Sequence, residues 1–168
     1  MIGTNDVNGE NRGIVVNEPG IGSVKIGWAD FDQVTFEPAP ETGPSYADYG
    51  SGHELFGTVQ SDEGTFRGRI IYDLDEAWDF ELLQGKNHDT EYSIPFRDIL
   101  RIEPRGGRGA SVVLREGLTI ELEDSHDVSR ANDGVLIFEG AGKPKYIDWR
   151  ALKSIEFRDR ETRGVDVR

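Results

Sequence analysis

Two loops rich in aspartate and asparagine are the segments of this sequence best suited to chemistry. The pattern Asp-Val, three residues, Asn, one residue, Gly occurs at residues 6–13 and again at residues 127–134. Carboxylate and amide oxygens are ligands that a hard cation such as Ca²⁺ accepts. The candidate metal ligands are Asp6, Asn11, Asp124, Asp127, Asn132 and Asp133. The same side chains also suit a loop that satisfies its own backbone, so both interpretations stay open.

A second acidic cluster and three histidines complete the candidates. The cluster comprises Asp73, Asp75, Glu76 and Asp79, close to a predicted strand end, where a solvated loop is the ordinary explanation. The histidines lie in different predicted loops and belong to no metal or nucleophile motif. We therefore predict that the protein is not an enzyme, since a hydrolase would need a cleft that gathers carboxylates from separate elements.

The composition restricts the partners. The formal net charge is −13, whereas nucleic acids and anionic membranes bind clustered cations, so we expect no nucleic-acid partner. The chain has no cysteine, which excludes disulfides and thiolate metal sites. No stretch approaches the roughly 20 apolar residues of a membrane-spanning helix, and we expect no membrane insertion.

One apolar pattern occurs three times along the chain without a gap, at residues 26–36, 94–104 and 147–157. The first and third copies stay in register 121 residues apart, and the second and third copies stay 53 residues apart. A constant offset at both ends of a unit indicates a tandem repeat. Trp28 and Trp149 hold the same position in this pattern, and we expect both in the core.

Each copy predicts short strands rather than helices. Period-two alternation is typical of strands with one buried face, and the brief break before the last strand fits a single 3-10 turn. In the third copy, Glu116-Gly117 predicts a hairpin turn between residues 111–115 and 118–123, with a further strand at residues 134–138. The second copy predicts strands at residues 55–60, 65–72, 78–83, 92–94 and 99–102. The expected fold is all-β: tandem small five-stranded barrels with a 3-10 turn before the last strand.

This pattern resembles the Src-homology-3-like and Sm-like small barrels. Residues 92–99, Tyr-Ser-Ile-Pro-Phe-Arg-Asp-Ile, look like the end of such a domain. The repeat also resembles uncharacterised bacterial secreted or envelope proteins with paired barrels, on the basis of Gly57-Thr58-Val59, residues 94–102, and Asp6-Val7 through Gly13-Ile14-Val15. The resemblance implies an extracellular or cell-envelope location. It brings no activity, because a fold alone does not determine function.

The repeat divides the chain into units of which the first is incomplete. Residues 1–37 are expected to hold only the last three strands of a barrel, at residues 13–17, 24–27 and 33–37. The other expected divisions are a linker at 38–53, a second barrel unit at 54–104, a third at 105–158 and a tail at 159–168.

Three strands alone would leave apolar residues poorly covered and a strand edge unpaired, so the first unit requires completion. Three completions stay open: upstream strands of a longer tandem array, strands donated by another copy, or fusion of the units into one sheet within the chain. The tail alternates like a short donor strand, although a frayed terminus has the same pattern. The candidate assembly residues are Val15, Ile26, Val165 and Val167.

The sequence favours a non-catalytic structural or protein-interaction module. Its expected partners are proteins, including copies of itself, and strand exchange would build an oligomer or filament. The alternative function is a calcium-binding module that uses the duplicated Asp/Asn loops, with calcium as the only cofactor considered.

Overall fold

A computed structural model describes residues 13–38 and 52–158 of the chain. Within these residues the protein is all-β, as predicted. The strands are β1 (Ile14–Glu18), β2 (Gly22–Ile26), β3 (Phe56–Ser61), β4 (Gly64–Tyr72), β5 (Leu82–Asn87), β6 (Thr90–Pro95), β7 (Ile99–Arg105), β8 (Gly109–Leu114), β9 (Thr119–Glu123), β10 (Val135–Phe138), β11 (Lys145–Ile147) and β12 (Leu152–Phe157). Two 3-10 turns, Phe96–Asp98 and Trp149–Ala151, directly precede β7 and β12.

The twelve strands form one continuous antiparallel sheet. Their order is β1-β2-β6-β5-β9-β8-β7-β12-β3-β4-β10-β11. A single sheet of this order does not establish separate closed barrels. The barrel units and their boundaries therefore stay predictions, while the strand pairings can be read directly.

The strand order reveals an exchange of hairpins between the two halves of residues 54–158. Hairpin β3–β4 lies between β12 and β10, and hairpin β8–β9 lies between β7 and β5. Each half therefore contributes a two-stranded hairpin that joins the last three strands of the other half. We call β6-β5-β9-β8-β7 the first group and β12-β3-β4-β10-β11 the second group. The two groups meet where β7 pairs with β12, with Ile102 opposite Ile155.

Elements of the two halves recur at the spacing that the sequence pattern predicts. The 3-10 turns begin at Phe96 and Trp149, 53 residues apart. The paired residues Ile102 and Ile155 are also 53 residues apart, so this contact joins corresponding positions. The predicted hairpin turn is confirmed: β8 pairs with β9, and Gly117 has φ +90°, a conformation that glycine adopts without steric cost.

Aromatic side chains from both halves meet in the core. The Tyr72 ring lies 5.2 Å from Phe96 and 6.2 Å from Trp149, measured between ring centroids. Phe96 also contacts Phe157 at 5.5 Å. Because Tyr72 and Phe96 come from one half and Trp149 and Phe157 from the other, the exchange produces one shared core. The prediction that Trp149 is a core residue is confirmed.

Two predicted strands are wrong. No strand forms at residues 33–37. The strand predicted at residues 78–83 begins only at Leu82, because the chain turns after β4 through Asp73 and Leu74, both with positive φ. Residues between that turn and β5 lie at the surface, where Trp78 and Phe80 are exposed and stack on each other.

Candidate functional site

The hairpin β1–β2 presents an incompletely covered apolar face. Ile14 pairs with Ile26 and Val16 pairs with Val24, and alternate residues of a strand share a face. We call Ile14, Val16, Val24, Ile26 and Trp28 the open face. Within the described residues, Val16 is 39% exposed and Trp28 is 48% exposed. The prediction that Trp28 is a core residue is therefore wrong.

The hairpin is joined to the sheet through β2. Val24 pairs with Tyr92 of β6, and Lys25 Nζ lies 2.9 Å from Glu91 Oε2. Gly22 permits this approach, because a Cβ at that position would lie 2.4 Å from the Ser93 carbonyl oxygen. Of the three completions considered, this pairing is fusion into one sheet within the chain. It leaves the outer edge of β1 without a partner strand among the described residues.

Hairpin β10–β11 has the same apolar pattern as hairpin β1–β2, but its apolar residues are buried. Ile14, Val16, Ile26 and Trp28 correspond, 121 residues later, to Val135, Ile137, Ile147 and Trp149. The corresponding residues pair in the same register in both hairpins. All four residues of the later set are buried, whereas their counterparts are partly or largely exposed. The difference comes from strand β4, which pairs with the outer edge of β10.

The predicted assembly residues of hairpin β1–β2 lie on both of its faces, and their role in assembly stays a prediction. Val15 is 60% exposed and lies on the face opposite the open face. Ile26 lies on the open face itself and is half-buried. Val16 corresponds to Ile137 and shares the open face with Ile26, although it is not among the predicted residues. Val165 and Val167 lie outside the described residues.

A second candidate site lies where the turn after β4 meets the loop between β9 and β10. His126 Nδ1 is 2.8 Å from Asp73 Oδ2. Ligand atoms of Asp73, His126 and Asp127 lie within 4.8 Å of one another, as do those of Asp73, Asp75 and Glu76. We call these five residues the carboxylate–histidine cluster. It joins the two acidic segments that the sequence showed separately.

Burial of several carboxyls dominates the electrostatics of this cluster. Burial raises the pKa of Glu76 to about 9, and neighbouring Asp75 adds to the shift. Burial also raises the pKa of Asp73 and of Asp127, although backbone N–H donors oppose the effect. The hydrogen bond to Asp73 raises the pKa of His126. The cluster therefore binds protons more tightly than exposed groups would, and a cation could replace them.

The loop between β9 and β10 is also a structural clamp. Asn132 donates from Nδ2 to the Asp127 carbonyl oxygen at 2.8 Å and accepts from the Gly134 N–H at 2.8 Å. The Tyr72 hydroxyl donates to the same Asp127 carbonyl oxygen, and the Asp133 N–H donates to the Asp73 carboxylate. These bonds tie the end of β4 to the other half of the chain, where the hairpin exchange occurs.

Among the described residues, the predicted calcium ligands do not lie together in one site. Asp127 belongs to the carboxylate–histidine cluster, with its Oδ2 accepting from the Gln84 N–H at 2.6 Å. Asn132 is engaged by the loop backbone, and Asp124 and Asp133 are outside the two ligand groups found among the described residues. Asp6 and Asn11 lie outside the described residues. The calcium assignment stays a prediction.

Comparison with known proteins finds no matching family model, no matching curated protein and no matching solved structure. In the part of the chain that the structure describes, no helix has the length and apolar character needed to cross a membrane. The function must therefore be argued from the two candidate sites alone.

Proposed function

We propose that this chain is a non-catalytic structural or protein-interaction module of a bacterial envelope or extracellular protein. It binds proteins, including copies of itself, through the outer edge of β1 and the open face. Strand addition at that edge would let it assemble into an oligomer or filament. The location is proposed from the resemblance of the repeat to bacterial secreted and envelope proteins.

The observation that carries this proposal is a strand whose outer edge has no partner among residues 13–38 and 52–158, together with exposed apolar residues in the same hairpin. Edge strands of folded proteins are usually blunted by charge, proline or a bulge, because unpaired backbone groups add further strands. β1 has the sequence Ile-Val-Val-Asn-Glu, with its only charge at the end.

The charge distribution supports a protein partner over a nucleic acid. Several cationic side chains are paired with carboxylates, including Lys25 with Glu91, Lys145 with Glu63, and Lys153 with Asp62. Cations neutralised in this way contribute little to phosphate binding. An acidic surface with one apolar edge instead suits a basic or neutral protein segment.

Sedimentation velocity over a wide concentration range, combined with hydrogen exchange, tests the proposal. The native chain should associate as its concentration rises, and residues 14–18 should gain amide protection on association. Val16→Lys, which places a charge on the open face, should shift the chain towards monomer. A chain that stays monomeric, with all β1 amides already protected at the lowest concentration, would contradict the proposal because its edge would be closed.

Calcium binding is a second candidate function, favoured by the convergence of Asp73, Asp127 and His126 with Asp75 and Glu76. A divalent cation would offset the mutual repulsion of carboxyls whose ionisation burial disfavours. Calcium should then raise the melting temperature, a chelator should reverse the increase, and Asp73→Asn should abolish it. An unchanged melting temperature at millimolar calcium would remove this candidate.

A further inference from the structure

We propose that the outer edge of β1 and the open face bind a β-hairpin of the β3–β4 type, supplied by another polypeptide. This inference rests on the proposed function and specifies the partner of the same site. The partner's strand would pair antiparallel with β1, and its apolar face would cover the open face.

The first argument is how this fold covers corresponding hairpins. β10 corresponds to β1, and its outer edge receives β4, a strand from the other half of the chain. β5, in the first group, likewise receives β9 from the other half. In both groups, the last three strands of one half are joined by a hairpin from the other half. The same arrangement at β1–β2 would place a hairpin beside β1, and hairpins β3–β4 and β8–β9 are already engaged within the described sheet.

The second argument is the register that the correspondence implies. Val135 lies opposite Tyr72, and Ile137 lies opposite Ile70. Ile14 would therefore lie opposite an aromatic residue, and Val16 opposite an aliphatic residue two positions earlier in the partner strand. An isologous pairing of two β1 strands would extend the edge without bringing this second strand over the open face.

The third argument is a hydrogen bond at the end of the strand. Glu139 Oε1 accepts a hydrogen bond from the Arg67 N–H at 3.2 Å, and the Arg69 guanidinium lies 4.0 Å from the Phe138 ring centroid. Glu18 corresponds to Glu139, 121 residues earlier, and its side chain is exposed. A partner strand that offers a backbone N–H opposite Glu18 would reproduce this hydrogen bond, whereas Asn17, at the position of Phe138, offers no ring to an arginine.

The opposite edge of the sheet makes the binding selective. β11 has only three residues, follows Pro144 and carries Lys145 at its start. Short length, proline and lysine are the features that discourage addition of a strand. A hairpin in solution should therefore distinguish β1 from β11.

The test adds a synthetic peptide of residues 54–73 to the full chain and follows amide exchange by mass spectrometry. Binding should protect residues 14–18 and leave residues 145–147 unchanged. Val16→Lys should weaken binding at least about tenfold, because it buries a charge without a partner. Val15→Lys, one position away on the opposite face, is the matched control and should change binding by less than about twofold.

A second peptide carrying Ile70→Asp should not bind, since it lacks the apolar residue expected opposite Val16. Exchange changes confined to residues 135–138 would overturn the inference, because the peptide would then replace β4. Equal weakening by Val15→Lys and Val16→Lys would also overturn it. If the peptide fails to bind while Val16→Lys still reduces self-association, the inference is wrong and the proposed function stands. If both effects are missing, both proposals fail.

Discussion

Hairpins β1–β2 and β10–β11 have the same local pattern and opposite environments. Corresponding residues pair in the same register, and each hairpin is followed by a tryptophan at the same position. Trp149 is 2% exposed, whereas Trp28 is 48% exposed. Local pattern thus determines strand pairing and the face that turns inward. Whether that face is buried depends on a hairpin far away in the sequence.

The largest expected effect concerns the two tryptophans. Trp149→Ala should lower the free energy of unfolding by roughly 3–5 kcal/mol, because it empties a packed core position. Trp28→Ala should change it by only about 0.5 kcal/mol, since half of the ring already contacts solvent. Urea denaturation followed by circular dichroism measures both. Similar losses for the two variants would show that the comparison is mistaken.

A second change separates docking of β1–β2 from the stability of the remaining sheet. Gly22→Val should push the hairpin away from β6, because the new side chain would overlap the Ser93 carbonyl group. Residues 14–26 should then lose amide protection, while the unfolding free energy of residues 52–158 should change by less than about 1 kcal/mol. Loss of protection throughout the sheet would mean that the hairpin supports the core.

A third, smaller effect is a pH dependence of the folding stability that arises from the carboxylate–histidine cluster. The pKa of Glu76 is raised from its ordinary 4.5 to about 9, so the folded chain holds this proton more tightly than the unfolded chain. The contribution is therefore fully present below about pH 4.5 and is lost as pH rises to about 9. The raised pKa values of Asp73, Asp127 and His126 act in the same direction.

Glu76→Gln, which mimics the protonated side chain, provides the control. Melting temperatures of the native chain should fall relative to those of Glu76→Gln across this pH range. Amide protection of β1–β2 should not follow the same titration, since β2 is joined to the sheet through β6 and no residue of the cluster lies in either strand. Parallel curves for the two chains would exclude Glu76 as the source.

The smallest expected effect is that of the ion pair holding β2 to β6. Lys25 and Glu91 are both substantially exposed, and such pairs contribute about 0.2–1 kcal/mol. Lys25→Ala should slightly increase amide exchange in β2, and salt should reduce the difference between native and variant chains. A difference that persists in high salt would indicate that the lysine stem packs against β6 instead.

Much of the local structure could be predicted from sequence. Alternation identified most strands, and the position of Phe96 and Trp149 identified both 3-10 turns. The strand order could not be predicted, because a repeat offset says which residues correspond and not which strands pair. The exposure of Trp28 could not be predicted for the same reason: its pattern is that of Trp149, but among the described residues no strand pairs with the outer edge of β1 as β4 pairs with β10.

One contact of the carboxylate–histidine cluster can be predicted from the repeat offset in the sequence. Asp73 and His126 are 53 residues apart and so hold corresponding positions in the two halves. Ile102 and Ile155, also 53 residues apart, meet in the same way in the pairing of β7 with β12. Candidates for such contacts can be found from the offset alone. The hydrogen bonds of Asn132 to the loop backbone require coordinates.

The exchange of hairpins also limits which gene deletions and recombination events leave a folded protein. A deletion that removed residues 105–158 would take away the strands flanking β3–β4 and the hairpin β8–β9 that lies between β5 and β7. A stop codon near residue 104 should therefore yield an insoluble product rather than a smaller folded protein. Recombination that preserves this architecture must therefore transfer both halves of residues 54–158 together.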